Sequence, residues 1–245
     1  MNTGEKALHS IVFELNGLGL ITMANALVEL YASNDFLETD RLMILTKIVG
    51  AEYEVKASKR LESRLKKAKL TGSPCEIEKC VDSKERGYLP NGITDRLASG
   101  DFISEGMNIC VLGPSDSGKT YFVKALGIIA CQNYRVAYFH CETFCEEMVA
   151  LKKRDYQKYQ TKMKYYTKLD LLILDDFLLH TIADEREIKV LFELLEKRNE
   201  LLTSTIVCSQ REPKSWASMM LNDEVSSNSI MKRVTKHYTV VINLK

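Results

Sequence analysis

The sequence predicts an α/β protein: a P-loop domain with a parallel sheet flanked by helices, preceded by a small N-terminal helical domain. Three observations carry that expectation. Residues 113–120 read Gly-Pro-Ser-Asp-Ser-Gly-Lys-Thr, a complete G-x-x-x-x-G-K-[ST] phosphate-binding loop. From Asn108 onward, short continuous apolar runs alternate with helical stretches, the pattern of strands buried on both faces. Residues 5–70, by contrast, carry only helical periodicity.

Along the chain, Leu8, Ile11, Val12 and Leu15 recur at helical spacing. Asn16-Gly17-Leu18-Gly19 interrupts, and Ile21, Ala24, Leu27 and Leu30 resume the pattern. Further helices are expected over about 36–49 and about 52–69. Periodicity then fails through Gly72, Ser73, Pro74, Gly87, Pro90 and Asn91-Gly92, which is the signature of loops. The expected organisation is therefore an N-terminal helical region over 1–70, a linker over 71–95 and a nucleotide-binding domain over 96–245. Strands are expected at 108–113, 135–140, 169–175, 204–209 and 238–244. Between the first two, Lys119–Gln132 has a helical stripe of Phe122, Val123, Leu126, Ile129 and Ala130, and Ile188, Leu191, Phe192 and Leu195 form another.

In 245 residues, apolar content of 45% and charged content of 27% are those of an ordinary soluble globular protein. No stretch approaches membrane-spanning length, and the N-terminus lacks a secretory pattern, so no membrane partner is expected. The seven cysteines are scattered through apparent core elements, which suggests reduced thiols in the cytoplasm. His140-Cys141-x-x-x-Cys145 admits a zinc reading, but no second ligand pair lies at suitable spacing, and small buried thiols at a strand–helix junction are the favoured reading. The net charge of +1 selects no partner. Its distribution is uneven, with basic runs at 56–69 and 152–168.

The loop's glycines let backbone N–H groups converge on phosphate oxygens, and the helix that follows adds its dipole. Gly113, Pro114, Ser115, Asp116, Ser117, Gly118, Lys119, Thr120 and the adjoining Tyr121 are thus the expected binding residues for ATP. Lys119 reaches the outer phosphates, and the Thr120 hydroxyl helps hold Mg²⁺. The run Leu171-Leu172-Ile173-Leu174-Asp175-Asp176 is a Walker B pattern, with Asp175 on Mg²⁺ and Asp176 orienting or deprotonating water. Carboxylates at a strand end also cap helices; the upstream loop favours the catalytic reading. Asp176 stands where Glu is usual and is one methylene shorter, which points to slow hydrolysis with binding kept. Asp116 puts a negative charge in the loop, which either points outward or weakens nucleotide affinity. Ser209, at the tip of the strand 204–209, is either a γ-phosphate sensor or a strand-end turn. Arg233, in a helical stretch before the last strand, is either an arginine finger toward a neighbouring subunit or a solvated side chain.

Together these residues resemble the IstB family of transposition helper ATPases, relatives of the DnaC helicase loaders within the AAA+ class. The resemblance also rests on Arg60-Leu-Glu-Ser-Arg-Leu-Lys-Lys-Ala, Ser83-Lys-Glu-Arg-Gly, Ile93-Thr-Asp-Arg-Leu, Asp101-Phe-Ile, Ser209-Gln210 and Trp216. It implies an AAA+ core, and with little chain beyond the final strand no C-terminal lid domain is expected. It further implies an ATP-dependent homo-oligomer on duplex DNA of any sequence, a partner transposase, hydrolysis as the release switch, and Arg233 as the finger. The chain departs from the family at Lys232, where an acid is usual, and at Leu221-Asn-Asp-Glu, which replaces Gly-Asp-Pro. Two alternatives stay open: a replicative helicase loader, and a non-hydrolysing ATP-dependent DNA-binding scaffold.

For DNA, Lys56, Lys59, Arg60, Arg64 and Lys67 fall at spacings that share a helix face. Their cations either neutralise phosphates or form a solvated face. In 152–168 the lysines alternate with Tyr156, Tyr159, Tyr165 and Tyr166, which suit stacked bases or, more plainly, packing of the rings under solvated lysine stems.

Overall fold

The computed structural model describes residues 3–33, 36 and 38–244. The chain divides into two compact units, Met1–Ser63 and Arg64–Lys245. In the first, α1 (Thr3–Gly17) packs on α2 (Ile21–Ala32), and α3 (Arg41–Ala68) as far as Ser63 supplies the remainder. Its buried apolar residues are few: Ala24, Leu27 and Ile48. Buried Glu52 accepts the Met23 N–H at 3.0 Å and pairs with Lys56 at 3.4 Å. The two helices expected over about 36–49 and 52–69 are one continuous helix. Gly50 sits inside it with open space where a Cβ would go, so it costs about 1 kcal/mol of propensity without breaking the helix. Leu37 lies outside the described residues.

The second unit is built on a six-stranded sheet. In chain order its elements are β1 (Arg86–Leu89), α4 (Ile93–Ala98), α5 (Asp101–Ser104), β2 (Ile109–Leu112), α6 (Lys119–Ala130), β3 (Val136–His140), α7 (Cys141–Arg154) and α8 (Tyr156–Thr167). They continue as β4 (Leu171–Asp175), α9 (Glu185–Glu200), β5 (Ser204–Ser209), α10 (Trp216–Met219), α11 (Glu224–Val234) and β6 (Tyr238–Leu244). The strand order is β1-β6-β2-β5-β4-β3, parallel throughout except for β1 on β6. All five strands expected from the sequence are present.

The stretch 71–95, expected as a linker, is different. Its Arg86–Leu89 is a strand of the sheet, and Ile77, Cys80, Tyr88 and Ile93 are buried. The Gly and Pro residues mark tight turns between packed pieces, not a flexible tether.

Alternation along the strands covers the sheet on both sides. A Cβ on Gly127 of α6 would lie 2.9 Å from Ile173 Cδ1, so α6 sits tightly on one face of β4. Leu172 and Leu174 point the other way, into a cluster with Phe144 and Met148 of α7, Tyr159 and Met163 of α8, and Leu191 and Leu194 of α9. All seven cysteines are buried and free. No described helix is long and apolar enough to cross a membrane.

Chain order fixes where a site can form. From β2 the chain skips to the far edge at β3, walks back through β4 and β5, and then crosses β2 to reach β6. The carboxyl end of β2 is therefore a topological switch point, where the loops on either side part and leave a crevice.

Candidate nucleotide site

The phosphate loop lies at that switch point, joining β2 to α6. A Cβ on Gly113 would come 2.3 Å from the Ile242 carbonyl oxygen of β6, so only glycine lets the loop leave β2 here. Gly118 holds φ +88° at the N-terminus of α6, and no side chain caps that end, which leaves its first N–H groups to an anion. Asp116 takes φ +59°, a left-handed conformation that Asp tolerates better than most residues, and is exposed. The Ser117 hydroxyl is buried with no hydrogen-bond partner among the described residues. Lys119 is 6% exposed and its Nζ donates to the Pro114 carbonyl at 2.6 Å. Tyr121 turns its hydroxyl away, accepting from the Glu76 N–H at 3.1 Å and donating to the Pro74 carbonyl at 3.3 Å.

Asp175 ends β4, fully buried on the same carboxyl edge. Its carboxylate accepts from the Tyr138 hydroxyl at 2.6 Å and the Asp176 N–H at 2.9 Å. Burial and the Asp175 carboxylate push the Tyr138 phenol far above its usual range, so it stays protonated and donates. Asp176 takes φ +52°, and its Oδ2 lies 3.0 Å from His140 Nδ1. The register explains this, because His140 pairs with Asp175 across β3 and β4. His140, first in the cluster that admitted zinc, is thus a partner of the Walker B pair, and Cys145 of that cluster is held well above its usual thiol range by Cys141 and burial.

The oxygen donors of Thr120 and Asp175 suit Mg²⁺, which takes few protein ligands and completes its shell with phosphate and water. No group of three His, Cys, Asp or Glu that could hold a metal occurs among the described residues. The glycine-bounded loop, the desolvated Lys119 and these oxygens fit ATP with Mg²⁺.

Ser209 is a correction. Its hydroxyl is fully buried, donating to the Phe177 carbonyl at 2.7 Å and accepting from the Arg211 N–H at 3.1 Å. It braces the turn after Asp176 and has no face toward a phosphate. The next residue, exposed Gln210, lines a cavity together with Gly113 and Pro114, with Arg211, Glu212 and Lys214 also on its wall. Arg233 lies elsewhere. Its carbonyl accepts from Asn108 Nδ2 at 3.0 Å, just before β2 and therefore at the opposite end of the sheet from the loop. Its guanidinium pairs with Glu196 at 3.1 Å, contacts Ser229 and stacks on Phe192. It takes no part in its own chain's site.

The basic residues of α3 divide. Lys59, Arg60 and Lys67 are exposed, and Lys56 is exposed but paired with Glu52. Arg64 is a correction: Nη1 donates to the Cys131 carbonyl at 3.2 Å and to that of Gln132, capping the end of α6. In α8, Tyr159 is buried and donates to Glu193 at 2.7 Å, and Tyr166 packs on Phe139 and Phe144, whereas Tyr156 and Tyr165 are exposed.

With this geometry in hand, residues 13–245 match the family model described as IstB-like ATP binding protein. The chain is 32% identical to insertion-sequence ATP-binding protein y4uH of Sinorhizobium fredii, over 92% of this chain and 89% of that protein. It is 30% identical to the IS232 ATP-binding protein of Bacillus thuringiensis subsp. berliner, over 84% and 78% of the two. Among solved structures, AMPPCP-bound DnaA from Aquifex aeolicus aligns with a TM-score of 0.56 at 23% identity, over 70% of this chain and 50% of that one. The DnaC helicase loader aligns with a TM-score of 0.54 at 17% identity, over 71% of this chain and 98% of that one. At such identities the likeness is one of fold alone.

Proposed function

This chain belongs to the IstB-like ATP-binding protein family, and from that premise we propose that it is an ATP-switched, DNA-binding helper of transposition. Gly113–Thr120 holds the phosphates, with Lys119 turning from Pro114 to the outer ones and Thr120 and Asp175 offering oxygens to Mg²⁺. Bound there, ATP and Mg²⁺ supply an electrophilic γ-phosphorus and neutralise charge as it transfers. Asp176, steered by His140, orients and deprotonates the attacking water, and Gln210 faces the γ-phosphate side. Subunits assemble as a homo-oligomer on duplex DNA and recruit a transposase; hydrolysis releases them. Arg233 serves a neighbour's nucleotide after leaving Glu196.

The observation that carries this reading is the convergence of the loop, Asp175 and Asp176 on one sheet edge, in a chain whose relatives are named as insertion-sequence ATP-binding proteins. The test is ATP turnover with and without duplex DNA, beside sizing with a non-hydrolysable ATP analogue and DNA together. Turnover in the parent that vanishes in Lys119→Ala, with assembly only when both ligands are present, is expected. No turnover under either condition would remove hydrolysis from the proposal, and a monomer with both ligands would remove assembly.

Two further outcomes follow. His140→Phe keeps the ring's bulk but frees Asp176, so kcat should fall about ten- to a hundredfold with nucleotide Kd unchanged. An unaltered kcat would show that Asp176 needs no such partner. Alanine at Lys59, Arg60 and Lys67 together should weaken duplex binding and lower the slope of log Kd against log salt by about 3. Arg64 is left out because its loss would uncap α6. An unchanged slope places the DNA contact elsewhere.

A further inference from the structure

Arg86 carries an observation that neither the phosphate loop nor the Walker B strand explains. Because β1 runs antiparallel to β6, its first residue lies at the carboxyl edge of the parallel strands. Arg86 pairs with Leu244, three residues past Val241, and Val241 is level with Leu112, the last residue before the loop. At about 3.3 Å per residue, Arg86 stands roughly 10 Å beyond the end of β2, at the height of the loop. Side-chain contacts agree. A Cβ on Gly118 would meet the Arg86 guanidinium at 2.9 Å to Cζ and 3.0 Å to Nη1. The guanidinium therefore lies directly against the residue that precedes Lys119.

Among the described residues that guanidinium meets no counter-charge and forms no ion pair, and its Nε is buried without a hydrogen-bond partner. Its near neighbours on the other side are Tyr88 and Cys80. Burial pushes the Tyr88 phenol up to about 12 and the Cys80 thiol up to about 11, so both are neutral at pH 7. A half-buried cation without an anion is costly unless something supplies one. The loop beside it is built to hold an anion.

We infer that Arg86 is a phosphate-binding residue of the nucleotide site, a second cation delivered from β1 to the phosphate chain beside Lys119. This rests on the reading of 113–120 as the ATP site and adds a residue outside both Walker motifs. It also gives the contact at Gly118 a purpose, since any larger residue there would displace the guanidinium. A guanidinium forms two-pronged hydrogen bonds to phosphate oxygens, which an ammonium cannot reproduce.

The test measures Kd for a non-hydrolysable ATP analogue in the full chain and in Arg86→Met, Arg86→Gln, Arg86→Lys and Lys119→Ala, at several salt concentrations, with melting temperatures taken without nucleotide. Arg86→Met should raise Kd about tenfold and flatten its salt dependence, and Arg86→Lys should recover part of the affinity. The nucleotide-free melting temperature should stay near that of the parent. If Arg86→Met melts early, Arg86→Gln decides, because it keeps polar contact with Tyr88 and removes the charge. A Kd like the parent's in the uncharged variant, alongside lost binding in Lys119→Ala, overturns the assignment and leaves the nucleotide site standing. Parent-like binding in Lys119→Ala as well would overturn the site itself.

Discussion

Lys119→Ala should remove nucleotide binding at micromolar protein and lower any ATP turnover at least about a hundredfold. Lys119 is 6% exposed and its ammonium reaches the Pro114 carbonyl across the loop, so it is already largely desolvated. A charge-assisted hydrogen bond from such a group to a phosphate oxygen contributes about 1.5–3 kcal/mol to binding, or roughly ten- to a hundredfold in Kd. The same donor follows the charge that builds on the outer phosphate during transfer, which adds a separate loss in kcat. Alanine favours helix at the first position of α6, and the apolar stripe of that helix is untouched, so the fold should survive. Binding by calorimetry, with the melting temperature as the control for folding, checks this. Retained affinity would mean that Lys119 stays on Pro114 when the loop fills, and that backbone N–H groups and another cation hold the phosphates.

Much of this site was legible in the sequence, for a physical reason. Strands buried on both faces must be continuous apolar runs, so β2 to β5 stood out, and a glycine-rich turn between such a run and a helical stripe has few other uses. β1 was not legible. It is a four-residue edge strand with Arg86 and Leu89 at its ends, and only Gly87 and Tyr88 are buried, which is too little pattern to separate it from a loop. What it contributes, an arginine at the loop's height, depends on antiparallel register, and register appears only when strands pair. The tip of β5 shows the same limit at finer scale. Ser209 and Gln210 are equally polar on paper, and pleat alternation together with the Phe177 turn decides that serine faces in and glutamine out. For Arg64 the error came from treating a cation in a basic run as solvated, when a helix end some 67 residues on lacked donors for its carbonyls. His140 was read for its cysteine neighbours; its partner proved to be on the adjoining strand.

The second large effect should come from a residue far from the nucleotide. Arg198 lies near the end of α9 beside Glu196, Lys197 and Glu200, yet it is 1% exposed. Its guanidinium donates to the Thr205 hydroxyl at 2.9 Å, to the carbonyls of Tyr166 and Leu169 at 2.7 and 3.0 Å, and to that of Ser204. One side chain thus ties α9 to the end of α8, the approach to β4 and the start of β5. Burial pushes the group down to about 9, so it remains charged at pH 7, with four oxygen acceptors taking the place of water. Arg198→Met fills similar volume but withdraws every donor. The acceptors are held by strand and helix ends and cannot all find others, at about 1–3 kcal/mol for each one left unsatisfied. A loss of about 4 kcal/mol is therefore expected, which for a unit of this size is a fall of roughly 10 °C in melting temperature. Below that temperature nucleotide Kd should match the parent, because these acceptors lie at the amino ends of β4 and β5 and the loop lies at the carboxyl ends. A melting temperature within about 3 °C of the parent would show that water or a shifted helix end satisfies the carbonyls. A changed Kd with intact stability would instead show that the two ends of the sheet are coupled.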